Sequence, residues 1–95
     1  MIYTFDIKKK PEGGFNEFLI VISREDNLFP TEPIPITPSG KWTDLYAILL
    51  DECWAFLRGC IESDNPDMES YPMITVEELN FSKKDSTMKA VFKVI

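Results

Sequence analysis

Two cysteines are the residues of this sequence best suited to nucleophilic or metal chemistry. Cys53 and Cys60 are seven residues apart, a helical rise of about 10.5 Å, which is too long for a disulfide bond. Both fall on the core face of a predicted helix, and no base or cation nearby would lower the pKa of either thiol. The chain contains no histidine to complete a metal site. We therefore predict two buried structural thiols without a catalytic or metal-binding role.

Carboxylates are the second group of candidates for chemistry. The segment 62–69 contains four acidic residues, but it lacks the turn glycine and the bidentate glutamate of a calcium-binding loop. The adjacent acids Asp51-Glu52 and Glu77-Glu78 point to different sides of a helix or strand, so neither pair converges on one substrate atom. No glycine-rich phosphate loop is present either. These observations predict a non-catalytic protein that binds no metal and no other cofactor.

Length and composition are typical of one small folded domain spanning residues 1–95. Of the 95 residues 44% are hydrophobic and 13% aromatic, enough to build a core. A net charge of −6 disfavours a nucleic-acid binder, because phosphate repels negative charge. The first residues lack the basic start of a secretory signal, and no apolar run approaches the roughly 20 residues of a membrane span. We predict a cytoplasmic protein.

Alternating hydrophobic residues predict one β-hairpin at each end of the chain. The predicted strands cover residues 2–7, 15–23, 76–82 and 87–95. Gly13-Gly14 is expected to supply the positive φ of the first turn. Residues Thr75 to Glu78 match a capping box, which leaves a short helical turn before the second hairpin as an alternative.

One helix is predicted over residues 42–61, where apolar side chains cover an arc of roughly 180° around the helix axis. Thr43 is expected to cap its start, with Ser39 as the cap of an earlier start as the alternative. Asn65-Pro66 is expected to end the helix, although Gly59 offers an earlier end. The predicted fold class is therefore α+β, with a single helix packed on a four-stranded antiparallel sheet in the order ββ-α-ββ.

The segment 24–41 has no hydrophobic periodicity and is rich in proline. Proline fixes φ and removes a backbone donor, which excludes a helix and disfavours a central strand. We predict an extended loop that covers the fold and buries Phe29, Ile34 and Ile36. The alternative is a partner ligand, since the segment contains two PxxP sequences. Its prolines are Pro30, Pro33, Pro35 and Pro38.

The excess negative charge is concentrated on the predicted helix and the loop that follows it. Residues 42–71 contain one arginine and seven acids, whereas lysines cluster at the two hairpin turns. Local negative charge accelerates and orients encounters with a basic surface. We therefore predict an interaction protein that binds a protein partner with a basic surface and contacts neither nucleic acid nor membrane. The predicted partner-binding residues are Asp44, Asp51, Glu62, Asp64, Asp67 and Glu69.

Two versions of function remain open from the sequence. The interaction protein would be an inhibitor that occupies a nucleic-acid-binding site, as some phage-encoded proteins do. The alternative is a small-ligand-binding or sequestering homo-oligomer with a pocket between subunits. The residues expected to line that pocket are Trp42, Tyr46, Trp54 or Phe29, with lysines at its edge.

The width of the helix's apolar arc predicts self-association. A helix on one sheet buries a stripe about 100° wide, so an arc of roughly 180° leaves an edge for something else to cover. Leu50, Trp54 and Ile61 lie at that edge. Trp is enriched in interfaces, and symmetric dimers are the commonest assemblies. We predict a homo-oligomer, most simply a dimer, with these three residues in or beside its interface.

Overall fold

The antiparallel sheet carries one helix on one of its faces. The computed structural model describes residues 1–14, 16–26, 32–39 and 44–95. The elements are β1 (Ile2–Lys9), β2 (Phe18–Arg24), β3 (Ile34–Ile36), α1 (Leu45–Asp64), β4 (Ile74–Ser82) and β5 (Thr87–Val94). The strands lie in the order β3-β2-β1-β5-β4, and every neighbouring pair is antiparallel. The α+β class predicted from the sequence is confirmed.

β1 is the central strand because it pairs on both sides. Phe5 lies opposite Ile22 of β2 and Ala90 of β5. Strand β1 therefore joins the two terminal hairpins into one sheet. Since β1 and β5 run in opposite directions, the turn that follows β1 and the turn that precedes β5 lie at the same end of that sheet.

The core lies between α1 and one face of the sheet. The Phe5 and Phe92 rings meet edge to face with centroids 5.6 Å apart, and the Trp54 ring lies 4.7 Å from that of Phe92. The opposite face of the sheet has no covering element among the described residues. This face carries the side chains of every second residue in each strand, namely those that point away from α1. The largest fully buried side chains are Phe5, Phe18, Phe92, Ile7, Ile20, Leu49, Leu57, Ile61 and Cys53.

The predicted four-stranded sheet in the order ββ-α-ββ is wrong, because the segment predicted as a loop contains β3. This short strand pairs with β2 at the edge of the sheet. Pro35 is tolerated there, since an edge strand needs hydrogen bonds on one side only. Ile36 is 9% exposed, as expected for a residue that covers the fold, but Ile34 is 38% exposed. Phe29 lies outside the described residues.

The pairing of β3 with β2 also tests the alternative that the proline-rich segment is a ligand for a partner protein. The second PxxP sequence begins with Pro35 and Ile36, which are held in the sheet as part of β3. That sequence is not a free extended ligand in this fold. The first PxxP sequence begins at Pro30 and lies partly outside the described residues.

Element ends differ from the predictions for local reasons. Gly59 does not end α1, which continues to Asp64 and stops where the Asn65 N–H donates to the Ile61 carbonyl. Thr43, the expected cap, lies outside the described residues. The positive φ in the first turn belongs to Glu12, at 62°, and not to the glycines that follow it. Among the described residues no helix is both long and apolar enough to cross a membrane.

The last hairpin begins earlier than expected. β4 starts at Ile74, so the capping-box alternative over Thr75 to Glu78 is wrong. An irregularity between Val76 and Glu78 shifts the register against β5 by one residue. Beyond it, from Glu78 to Ser82, the pairing with β5 is regular.

Replacing Phe92 should show which sheet face holds the core. We expect Phe92→Ala to lower the free energy of unfolding by about 3–5 kcal/mol, because it removes a fully buried ring that contacts Phe5 and Trp54. Val91→Ala, on the uncovered face, should cost about 1 kcal/mol or less. Urea denaturation of both variants measures the difference, and equal losses would contradict the assignment of the two faces.

Candidate interaction surfaces

The outer side of α1 carries a row of exposed carboxylates, which we call the acidic helix face. Its members are Asp44, Asp51 and Glu62, all exposed. Their spacings of seven and eleven residues place them within about 20° of one another around the helix axis. Arg58, also exposed, lies between Asp51 and Glu62 on the same side. The acidic helix face points away from the sheet, because the buried residues of α1 lie on the opposite side.

Asp64, a fourth predicted partner-binding residue, has a role within the chain. Its carboxylate accepts a hydrogen bond from the Tyr3 hydroxyl at 3.1 Å and pairs with the Arg24 guanidinium. Arg24 also pairs with Asp26 at 2.8 Å. These contacts tie the end of α1 to β1 and β2, and Arg24 balances part of the Asp64 charge.

The contacts around Asp64 also affect the pKa values of its partners. Burial raises the pKa of the Tyr3 hydroxyl above its usual value. Hydrogen bonding to Asp26 and Tyr3 raises the pKa of Arg24 above its usual value. The remaining two predicted partner-binding residues, Asp67 and Glu69, are exposed in the segment after α1.

Lysines from both hairpin turns gather at one end of the sheet. Lys8 to Lys10 end β1, and Lys83-Lys84 follow β4 at the same end. Asp64 and the segment after it lie near the start of β1, at the opposite end. The acids that follow α1 therefore lie at the other end of the sheet from the lysines, whereas Asp44 begins α1 near the lysine end, where Tyr46 packs on Phe81. The sequence located both lysine clusters, but only the pairing of β1 with β5 shows that they share an end.

A shallow groove of about 580 Å³ lies on the uncovered sheet face near the lysine end. Lys89 lines it and pairs with Glu78 at 3.6 Å. Asp6 is the Cα partner of Lys89 on the neighbouring strand. The groove therefore contains mixed charges and no recognisable nucleophile. Among the described residues no three His, Cys, Asp or Glu side chains are grouped as a metal site would require.

Both cysteines are buried free thiols, as the sequence predicted. Burial raises the pKa of Cys53 to about 12, with a smaller contribution from Glu52. Burial also raises the pKa of Cys60. A reactive cysteine needs a lowered pKa and access to solvent. Neither thiol has a lowered pKa, and only Cys60, at 7% exposed, has any accessible surface.

The apolar edge of α1 is covered largely by the chain itself. Ile61 is 1% exposed and belongs to the core of its own chain, so it has no surface to offer a second copy. Trp54 and Leu50 are half-buried, and the Trp54 ring packs on Phe92 of β5. The β4–β5 hairpin therefore occupies much of the space that the sequence analysis left for a partner.

The outer edge of β4 is a further candidate surface: sheet edges are expected sites of self-pairing, but the sequence does not show which strand lies at an edge. Val76 is 46% exposed and Met73, just before the strand, is 70% exposed. Within the described residues, β4 pairs only with β5. The signal in the sequence is the charge order along this strand, which contains Glu77-Glu78 in its middle and is followed by Lys83-Lys84.

Comparisons of the chain with protein-family models, with curated proteins and with solved structures find no match. The function must therefore be argued from the surfaces of the molecule alone. Three surfaces are candidates: the acidic helix face, the mixed-charge groove and the outer edge of β4.

The Cys53 thiol should make stability depend on alkaline pH. Its pKa is raised to about 12 when folded, so its contribution to stability is complete below the unfolded pKa near 9 and is lost as pH rises toward 12. We expect the stability advantage of the wild type over Cys53→Ala to shrink by about 2 kcal/mol between pH 8 and pH 10.5. Urea denaturation at the two pH values measures this, and an unchanged advantage would contradict a buried, protonated thiol.

Proposed function

We propose that this chain is a non-catalytic binding protein whose acidic helix face docks on a basic surface of a partner protein. The observation that supports the proposal is the alignment of Asp44, Asp51 and Glu62 on the exposed side of the single helix. Over 18 residues this row extends for about 27 Å. A length of this order is comparable to one side of an ordinary protein–protein interface.

The rigidity of α1 also supports the acidic helix face as a docking surface. The inner side of α1 is packed in the core, and Asp64 fixes its far end through Tyr3 and Arg24. The carboxylates are therefore presented in a fixed order on a rigid element, which lowers the entropic cost of binding. Negative charge held in this way steers a basic partner during diffusion and sets its orientation.

A row of carboxylates resembles a nucleic-acid backbone in its charge. Within our proposal, the partner is a protein whose basic surface binds nucleic acid, and this chain inhibits it by occupying that surface. Asp67 and Glu69 extend the negative charge beyond the helix, toward the end of the molecule farthest from the lysines.

A small-ligand-binding oligomer is the second candidate function. One observation favours it: Tyr46, which is 42% exposed, packs on Phe81 of β4, and the half-buried Trp54 packs on Phe92 of the adjacent β5. Aromatic side chains of this kind line many ligand pockets. Trp42 and Phe29, which were also expected to line the pocket, lie outside the described residues. Native mass spectrometry of gently purified protein would reveal a bound small molecule.

Neutralising the acidic helix face should weaken partner binding. We expect the triple variant Asp44→Asn, Asp51→Asn, Glu62→Gln to bind the partner at least tenfold more weakly, mainly through slower association. The partner is first captured and identified, then purified, and binding is measured by surface plasmon resonance at 50 and 300 mM salt. The wild type should lose affinity at high salt, and the triple variant much less.

The control changes the same amount of charge elsewhere. Asp6, Glu12 and Glu32 are exposed residues outside α1, and their replacement by Asn or Gln also removes three negative charges. This control should bind as the wild type does. If both triple variants lose affinity equally, only net charge matters and the acidic helix face is not the docking site.

A further inference from the structure

The outer edge of β4 has the geometry of an unpaired strand. The Ile95 N–H donates to the Met73 carbonyl at 3.0 Å, which shows that alternate residues of this hairpin direct their backbone groups toward each other. Counted along β5, which lacks the irregularity of β4, every second residue from Ile95 directs its backbone groups toward β4, so Lys89 does, and it faces its partner Asn80. The backbone groups of Leu79 and Phe81 then point outward. Among the described residues no strand receives them.

The two edges of the sheet differ in their protection. β3, at the other edge, has only three residues and carries Pro35, which has no N–H to offer a new strand. β4 has nine residues, and the stretch from Glu78 to Ser82 is regular and free of proline. Self-pairing is therefore expected at β4 and not at β3.

The charges along β4 select the direction of pairing. Glu77 and Glu78 are its fourth and fifth residues, while Lys83 and Lys84 follow its end, and all four are exposed. Two copies side by side in the same direction would place acid against acid. In the opposite direction, the acidic middle of one strand approaches the lysines that follow the other. The strand is complementary to itself only in antiparallel pairing.

We propose that two copies of this chain form a symmetric dimer by antiparallel pairing of their β4 strands, with the twofold axis at Asn80. In this register Leu79 and Phe81 of opposite copies share both outward backbone hydrogen bonds and contact each other on the helix side of the sheet. Beyond the regular ladder, the Glu77 carboxylate of each copy lies near the Lys83 ammonium of the other, because Glu77 precedes the paired stretch and Lys83 follows it. The result is a ten-stranded sheet with both helices on one face.

Neighbouring registers fit less well. An axis at Glu78 would place the two Glu78 side chains directly opposite each other. An axis at Leu79 would set the Glu77 carboxylate against the Phe81 ring of the second copy. An axis at Phe81 would pair Glu78 with Lys84, but it would set Leu79 against Lys83 of the second copy and Glu77 against its Asp85. An axis between two residues would place a residue whose N–H and C=O point toward the second copy opposite one whose N–H and C=O point toward β5. Antiparallel pairing does not allow this, because the two residues of a pair must both point toward each other or both away.

This inference goes beyond the proposed function and does not rest on it. The β4 edge and the acidic helix face are separate surfaces, so a variant can lose one without losing the other. The pairing moves the expected dimer interface from Leu50, Trp54 and Ile61 to the outer strand.

A symmetric disulfide tests the register. Residue 80 forms a non-hydrogen-bonded pair with itself across the axis, at a Cα separation of about 4.5 Å, which lies within disulfide range. We expect Asn80→Cys to form a covalent dimer under mild oxidation, since the native cysteines are buried. Thr75→Cys is the matched control. It is exposed on the same strand, but about 33 Å would separate its two copies in the dimer, so no disulfide should form.

A charge swap tests the contact between Glu77 of one copy and Lys83 of the other without any new covalent bond. Glu77→Lys places lysine against Lys83 of the second copy at two symmetric positions, and we expect the dimer dissociation constant to rise about tenfold. Adding Lys83→Glu to the same chain restores opposite charges and should restore dimerisation. Sedimentation velocity at 5–100 μM measures both effects, with circular dichroism to confirm that each variant is folded.

Three results would overturn the proposal. A wild type that sediments as a monomer throughout this range excludes the dimer. A wild-type dimer in which Asn80→Cys crosslinks no faster than Thr75→Cys places the interface on another surface. A Glu77→Lys variant that dimerises as the wild type does excludes the proposed register.

Discussion

The antiparallel pairing of β1 with β5 is the contact on which the rest of the molecule depends. It connects residues from opposite ends of the sequence, with Phe5 opposite Ala90, and so fuses two local hairpins into one sheet. Without it, each hairpin would present its apolar side chains to water, because an isolated two-stranded hairpin has little stability. The same pairing forms the central part of the sheet face on which α1 packs. It also brings the two lysine-containing turns to one end of the sheet.

The consequences for charge follow directly from that pairing. Closing the sheet through β1 and β5 leaves β3 and β4 as its edges, and places the end of α1 near Tyr3 and Arg24. Asp64 then balances Arg24 where the chain needs a fixed helix end. Asp51 and Glu62 have no such neighbour among the ion pairs of the described residues, and they remain exposed. The pairing of β1 with β5 thus gives the Asp64 carboxylate partners within the chain and leaves other helix carboxylates facing solvent.

Much of the fold follows from the sequence, because period-2 and helical patterns of hydrophobic residues are strong in this chain. The helix, the four long strands and the burial of both cysteines were predictable on that basis. Strand β3 was not, since Pro35 interrupts its pattern and only its edge position makes proline acceptable. Strand order was also beyond the sequence, because alternation shows which face of a strand is buried and not which strand lies beside it.

The candidate surfaces divide in the same way. Exposure of Asp44, Asp51 and Glu62 follows from helical periodicity. The contacts of Asp64 do not, because its partners lie 61 and 40 residues away in the sequence. The sequence shows the angle of Ile61 around the helix axis, and that angle suggested a free edge. It does not show that the core of the same chain buries this side chain.

In the dimer proposed above, the two surfaces of α1 acquire different roles. The helix packs over β5 and β1, so strand spacing places the two helix axes about 20 Å apart across the twofold axis. Helix diameters leave a cleft roughly 10 Å wide between them, above the paired β4 strands. Tyr46 and Trp54, on the sides of the helices that face this cleft, would line a pocket between subunits, while the acidic helix faces remain on the outside. Self-pairing through β4 would therefore create the intersubunit site that small-ligand binding requires, and it would also present two acidic rows to one partner, which strengthens binding through effective concentration.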